Sequence, residues 1–248
     1  MSRSVPGGAS AAELAAATSV LRAQWATLHP WLRDVVDTYG LDALAQRPSA
    51  LDGWSVAELV AHLARALSPL ADAVELDPET VPLTLAEYLG TYPERADEIA
   101  SSTRELYTRI AADPLSEVRS VVERALTRLE ELGSADRVVQ ARRAPVLLSE
   151  LIDSRLLEVV VHADDLHRSL PEAAGNPLNR DAVAHVAQTL LDIVVTRGGW
   201  SLEVVDPIRW IRLAAGRTPY DVDELARALQ TQFTSDAVPD LGRHLPLF

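Results

Sequence analysis

Residues 155–166 read RLLEVVVHADDL, a run of leucine and valine that carries a glutamate and a histidine four positions apart. On a helix turning about 100° per residue, Arg155, Glu158, His162, Asp165 and Ser169 fall within roughly 80° of one another. The other faces carry Ile152, Leu156, Leu157, Val159, Val160, Val161 and Ala163. An ordinary surface helix has a broad polar face, whereas this one has a single narrow ionisable seam. Val159 to Val161 are β-branched, poor helix formers that favour burial. Two readings stand. In the first the seam faces water, and Arg155 pairs with Glu158 at i,i+3 spacing. In the second it faces inward, where buried charge must be paired or ligated, as at metal, cofactor or proton sites of helical bundles. An E-x-x-x-H pair alone does not decide between them.

A second helix supplies a partner. In GWSVAELVAHLAR (53–65), Ser55 and Glu58 form a capping box and Trp54 and Leu59 occupy the staple positions around it. The apolar stripe that follows is Val56, Leu59, Val60, Leu63 and Leu67, with His62 at its flank. A lone histidine there is more often a hydrogen-bonded core residue than a ligand. Together, however, His62, Glu158 and His162 bring two imidazoles and a carboxylate from two facing helices. That set suits Zn²⁺, Ni²⁺ or Fe²⁺ and leaves coordination positions open. Asp165, one turn beyond His162, is placed to hold an imidazole N–H or a bound water behind the ligands. His29, before Pro30, His167, pointing off the seam, His185, a surface or capping residue, and His244, in the tail, receive no role.

The remaining sequence is mostly helical in pattern. Residues 10–39 form an alanine- and leucine-rich helix that Pro30 is expected to kink or break. Thr84 and Glu87 repeat the capping box and open a helix expected to run to about 112. Asp113-Pro114 punctuates it, and a continuation covers 116–132. Residues 133–145 read as a loop, 146–169 as the seam helix and 180–196 as one more helix. Two short helices are expected near 207–215 and 222–232, and SLEVV (201–205) is the one segment that reads as β. The expected fold is mainly α, an up-down four-helix bundle over 10–172 behind a loose tail at 1–9, with a small, mostly helical appendage over 173–248.

Composition narrows the function. The 248-residue chain has a net charge of −13 and no cysteine. So acidic a protein is a poor nucleic-acid or anionic-membrane binder. It can form no disulfide and offers no thiolate of its own. All 23 basic residues are arginine, which points to GC-rich codon usage rather than to an activity. The opening MSRSVPGGAS has no apolar leader core, and no 18-residue apolar stretch occurs, so the expected location is the cytoplasm.

GWSVAELVAHLA together with RLLEVVVHADDL resembles the mycothiol-dependent maleylpyruvate isomerase family, within the wider DinB-like metal-binding bundles. That family carries a W-[ST]-x-x-[DE]-L segment followed by a ligand histidine, and an R-x-x-E-x-x-x-H-x-x-D-L segment. Over about residues 10–170, the resemblance implies metal ligands at His62, Glu158 and His162, with Arg155 and Asp165 as flanking motif positions. DPIRWIRLAAGR (206–217) and the closing LGRHLPLF are similar to a sub-branch with a sterol-carrier-like C-terminal segment. The chain departs from that sub-branch where a β-rich portion would precede Asp206, since only SLEVV remains. Arg217 is the candidate there for holding a cosubstrate, the alternative being a surface residue after a helix-ending glycine. The resemblance implies a divalent metal, most simply Zn²⁺, that activates a borrowed thiol, mycothiol, for transfer or isomerisation of a small electrophile. A monomer or homodimer is expected. The rival readings are a non-enzymatic, stress-associated metal-binding bundle and, behind it, a lipid or sterol carrier.

Overall fold

A computed structural model of the chain describes residues 8–142, 144–233 and 237–248. Its elements run α1 (Ala11–Tyr39), α2 (Leu41–Gln46), α3 (Val56–Ala71), β1 (Val74–Glu75), α4 (Leu85–Leu89), α5 (Ala96–Ile110), α6 (Pro114–Leu132), β2 (Val138–Gln140), β3 (Pro145–Leu147) and α7 (Leu148–Ser169). They continue as α8 (Arg180–Gly198), β4 (Leu202–Val204), α9 (Pro207–Ala214), α10 (Val222–Ala228) and β5 (Leu229–Thr231). The fold is mainly α, as expected. Helices α1, α3, α6 and α7 pack on one another in the pairs α3–α6, α3–α7, α1–α7 and α1–α6, and α5 lies against α3. No helix among the described residues is long and apolar enough to cross a membrane.

Local signals set the helix ends. Ser10, Ser55 and Thr84 each close a capping box with the glutamate three residues on. Asp113 caps α6 by accepting from Ser116 N–H at 3.0 Å. Helix α7 has no cap of its own, because Leu147 holds that position. Buried Asp136 supplies one from outside, accepting from Ser149 N–H at 3.0 Å and from its hydroxyl at 2.7 Å. The same carboxylate accepts from Ala9 N–H at 2.8 Å. The rest of the expected tail, residues 1–7, lies outside the described residues.

Four expectations are corrected. Helix α1 passes through Pro30 without a break. A mid-helix proline costs about 3 kcal/mol, but Leu28, Trp31 and Leu32 are buried on either side of it. Burial of large apolar side chains, at about 1.5–3 kcal/mol each, outweighs that cost. The helix expected from 84 to 112 is instead α4, a 3-10 turn at Pro93–Arg95, and α5. Pro93 cannot extend the preceding helix but fits the start of a new one. Residues 133–145 are not only loop: β2 pairs antiparallel with both β1 and β3. Finally, the last expected helix stops at Ala228, where the chain extends into β5 and pairs with β4. Strands of two or three residues are too short for an alternation to show.

Beyond the four packed helices, α8 lies on α7 and α1, and α9 lies on α8. Trp210 of α9 is fully buried and donates its indole N–H to the Ala187 carbonyl at 3.0 Å. Arg212 of α9 reaches α7 and grips Asp164 through two bonds of 2.7 Å. One carboxylate of the HADDL sequence is therefore taken up by the C-terminal segment.

Candidate metal centre

The seam of α7 faces inward. Arg155 is 3%, Glu158 9%, His162 7% and Asp165 0% exposed, and His62 on α3 is 4% exposed. The water-facing reading is thereby excluded. Helix α3 lies directly against α7, and its capping box at Ser55 fixes the start from which His62 is about two turns further on. One ligand atom from each of His62, Glu158 and His162 lies within 4.8 Å of the other two. His62 Nε2 stands 3.5 Å and His162 Nε2 3.2 Å from the same Glu158 oxygen, Oε2. The two imidazole rings are 4.6 Å apart and nearly perpendicular, and Trp54 stands edge-on to His62 at 5.2 Å.

Hydrogen bonding behind the rings determines which nitrogens are free. Thr103 of α5 donates its hydroxyl to the Ile99 carbonyl at 2.8 Å. At 3.1 Å from His62 Nδ1, its oxygen can then only accept, so His62 carries its proton on Nδ1. His162 Nδ1 faces Asp165 Oδ2 at 3.1 Å, so it too is the protonated nitrogen. Both Nε2 atoms therefore turn toward Glu158. When the imidazoles are neutral, two lone pairs and a carboxylate converge with no donor between them. A cation, either a metal ion or a proton on one ring, relieves that arrangement. Two imidazoles and a carboxylate, each imidazole fixed through its other nitrogen, are a donor set that fits a divalent metal.

The electrostatics of the two rings differ. Burial, together with the neighbouring His162, pushes His62 down to about 4, so it stays neutral. Burial acts the same way on His162, but its bonds to Asp165 and Glu158 prevail and raise its pKa. Burial would raise Glu158, yet the two histidines, which donate to it whenever Nε2 carries a proton, and the Arg155 charge hold it well below the usual carboxylate range. Asp165, despite its burial, is held at about 2 by His162, Arg217 and Arg168.

Arg155 does not form the bond with Glu158 that the water-facing reading offered. It donates to the Ala66 carbonyl at 2.6 Å, to Ser154 Oγ at 3.2 Å and, in a very short contact, to the Tyr92 hydroxyl. Arg217 is no loose surface residue: its Nε donates to both oxygens of Asp165 at 3.1 Å. It backs the carboxylate that backs His162. Ser169 at the end of the seam donates to the Asp165 carbonyl at 2.6 Å and accepts from Ala50 N–H at 2.8 Å. The other histidines lie elsewhere. His29 lies tilted against Trp25 and His167 stands edge-on to Trp31, while His185 binds Asp153 and His244 stands edge-on to Trp200.

The three donors open onto a cavity of about 310 Å³, whose wall includes Trp54, Tyr92, Ile99, Arg65, Arg142 and Arg217. Sequence reasoning missed two residues of the site. Thr103 gives no signal, being one hydroxyl in a helix without a motif. Arg65 does give one, since it lies at i+3 from His62 and thus on the same face of α3. It binds Ser102 Oγ through Nε at 2.6 Å, while its Nη2 is buried without a partner.

Two solved structures of a mycothiol-dependent maleylpyruvate isomerase, one of a histidine-to-alanine mutant, align over 92% of this chain and 95% of theirs. Both do so at 16% identity and a TM-score of 0.48. No curated protein matches the chain. The family described as "Mycothiol maleylpyruvate isomerase N-terminal domain" matches residues 21–167, a span that holds all three converging donors. Because that match covers more than half of its length, the chain belongs to the mycothiol maleylpyruvate isomerase N-terminal domain family.

Proposed function

We propose that this protein is a divalent-metal-dependent, cytoplasmic enzyme that uses mycothiol as cosubstrate in a transfer or isomerisation reaction on a small electrophile. His62, Glu158 and His162 would hold the metal, with Zn²⁺ the best match to the two imidazoles and carboxylate and Ni²⁺ or Fe²⁺ compatible. The observation that carries the reading is the convergence of the two unprotonated Nε2 atoms on Glu158 at the edge of a cavity. A bound divalent cation supplies Lewis acidity that stabilises a thiol as its thiolate, the nucleophilic form, near neutral pH. The chain contributes no thiol, having no cysteine, so the nucleophile must come in as a small molecule.

The protein's own groups provide position. Asp165 and Thr103 fix the two rings so that Nε2 of each faces the centre. Arg217 and Arg168 hold Asp165 ionised. Ile99 and Trp54 give the cavity apolar wall that limits water around the reacting atoms.

Elemental analysis of the purified protein should find close to one divalent metal per chain. Calorimetric titration should show mycothiol binding that depends on that metal, and His62→Ala should lose both. A metal-free protein of full stability that binds mycothiol as well as the loaded one would overturn the reading. Bound metal without any thiol affinity would leave only a metal-binding bundle.

A further inference from the structure

Helices α3, α5 and α6 enclose a groove of about 380 Å³, a size that accepts a small molecule. His62, Glu158 and His162 take no part in its wall. Four arginines do: Arg65 of α3, Arg109 of α5, Arg124 of α6 and Arg142 just after β2. Two carboxylates, Glu105 and Glu117, share the wall. Arginine therefore outnumbers carboxylate here by two to one, whereas the whole chain has 36 acidic residues against 23 basic ones.

Many arginines elsewhere are tied to carboxylates, as in Arg22–Glu130, Arg137–Glu75 and Arg212–Asp164. Among the described residues, the four in the groove form no ion pair. Arg65 donates through Nε to Ser102 Oγ at 2.6 Å, and Arg124 donates to Ser120 Oγ at 2.9 Å. Neutral hydroxyls orient a guanidinium and leave its charge uncompensated. Arg65 Nη2 is shut off from solvent with no partner, so water does not stand in for one. Burial, Arg142 and Arg95 push Arg65 down to about 10, against smaller upward pulls from Glu158 and Glu98. A half-buried cation set beside another cation lacks an anion.

We propose that this groove is a second binding site, for a small phosphomonoester whose phosphate lies among Arg65, Arg109, Arg124 and Arg142. The planar guanidinium fork pairs bidentately with phosphate oxygens. Four guanidinium groups facing two carboxylates leave an excess of two positive charges, which a phosphate dianion neutralises. The groove has room beyond the phosphate, where Glu105 and Glu117 accept from hydroxyl groups on the rest of the molecule. A polyanion such as nucleic acid is kept off by the net charge of −13. The site goes beyond the metal reading and does not rest on it. Arg65 and Arg142 line both the groove and the cavity of the three donors, so the two sites adjoin.

The test is calorimetric titration of the full chain with glycerol phosphate at constant ionic strength. Wild type should bind one equivalent, and inorganic phosphate should bind more weakly. The double variant Arg109→Gln/Arg124→Gln changes two residues of the groove that lie outside the donors' cavity. It should bind glycerol phosphate at least about tenfold more weakly, with an unchanged melting temperature. Arg33→Gln/Arg180→Gln alters the net charge equally at exposed positions elsewhere and should bind within about twofold of wild type. His62→Ala should also bind like wild type, so failure of the metal and thiol reading would be seen separately. No saturable binding by wild type, equal binding of inorganic phosphate, or equal affinity in the groove variant would each overturn the proposal. So would an equal loss in Arg33→Gln/Arg180→Gln, or loss of binding in His62→Ala, which would put the phosphate at the metal donors instead.

Discussion

The α3 flank and the α7 flank of the site do the same work with unlike materials. Each presents one imidazole with Nε2 turned inward, and each fixes that ring through Nδ1. On the α3 side the fixing group is the neutral hydroxyl of Thr103, borrowed from α5. On the α7 side it is the Asp165 carboxylate, one turn along the same helix and gripped by Arg168 and Arg217. A hydroxyl orients a ring without adding charge, so burial dominates and His62 stays neutral. A carboxylate orients and also raises basicity, so His162 resists the same burial. The two rings therefore differ in basicity, His62 being the weaker base and His162 the stronger, although both turn Nε2 to the same carboxylate.

The comparison breaks at its base if either ring is dispensable. Removing either imidazole leaves two donors of three. His62→Ala and His162→Ala should each weaken zinc binding by more than the 10–100-fold that loss of an outer partner costs. Competition against a chromophoric chelator measures this directly. Zinc affinity in either variant within a few-fold of wild type would mean that the ring is structural.

The sharper question is whether the two flanks contribute unequally. Asp165→Asn keeps the shape but removes the charge that raises His162, and zinc affinity should fall about 10–100-fold. Thr103→Val removes a neutral acceptor and should cost less than Asp165→Asn in the same titration. Equal losses would show that orientation alone matters and that the carboxylate's charge adds nothing.

The α7 flank was legible in the sequence and the α3 flank only in part. Spacing along one helix fixes the relative azimuth of Arg155, Glu158, His162 and Asp165, so a local pattern was enough to place them on one side. His62 could be found because its capping box and stripe locate its helix, and the motif resemblance joined the two segments. Thr103 could not, because its contact depends on where α5 lies after the chain breaks at Pro93, and no local pattern records that. Nor did spacing predict that Arg155 would turn to Ala66 and Tyr92: an i,i+3 rule describes a solvated surface, not a buried helix with better acceptors across the interface. The short strands escaped for a different reason, since two or three residues contain too little alternation to detect.

A histidine–carboxylate pair outside the site supplies the smallest effect and a control on the others. His185 of α8 binds Asp153 of α7 at 2.7 Å, with the two side chains 31% and 24% exposed. The hydrogen bond to Asp153 raises the His185 pKa above its ordinary 6.5, against a smaller opposing effect of burial. Because the folded value lies above the unfolded one, the pair's contribution is fully present below about pH 6.5 and is lost as pH rises through the folded value. His185→Gln should therefore lower stability by about 0.5–1 kcal/mol at mildly acidic pH. The deficit should shrink toward zero as the pH climbs above the folded value, read as urea midpoints across the range. Zinc affinity should be untouched at every pH, because no cation is shared between this ring and a second lone pair. A deficit independent of pH would show that the pair is a neutral hydrogen bond, and that proximity to a carboxylate is not enough to charge a histidine on α8. The contrast between His62 and His162 would then need another cause than the carboxylate beside one of them.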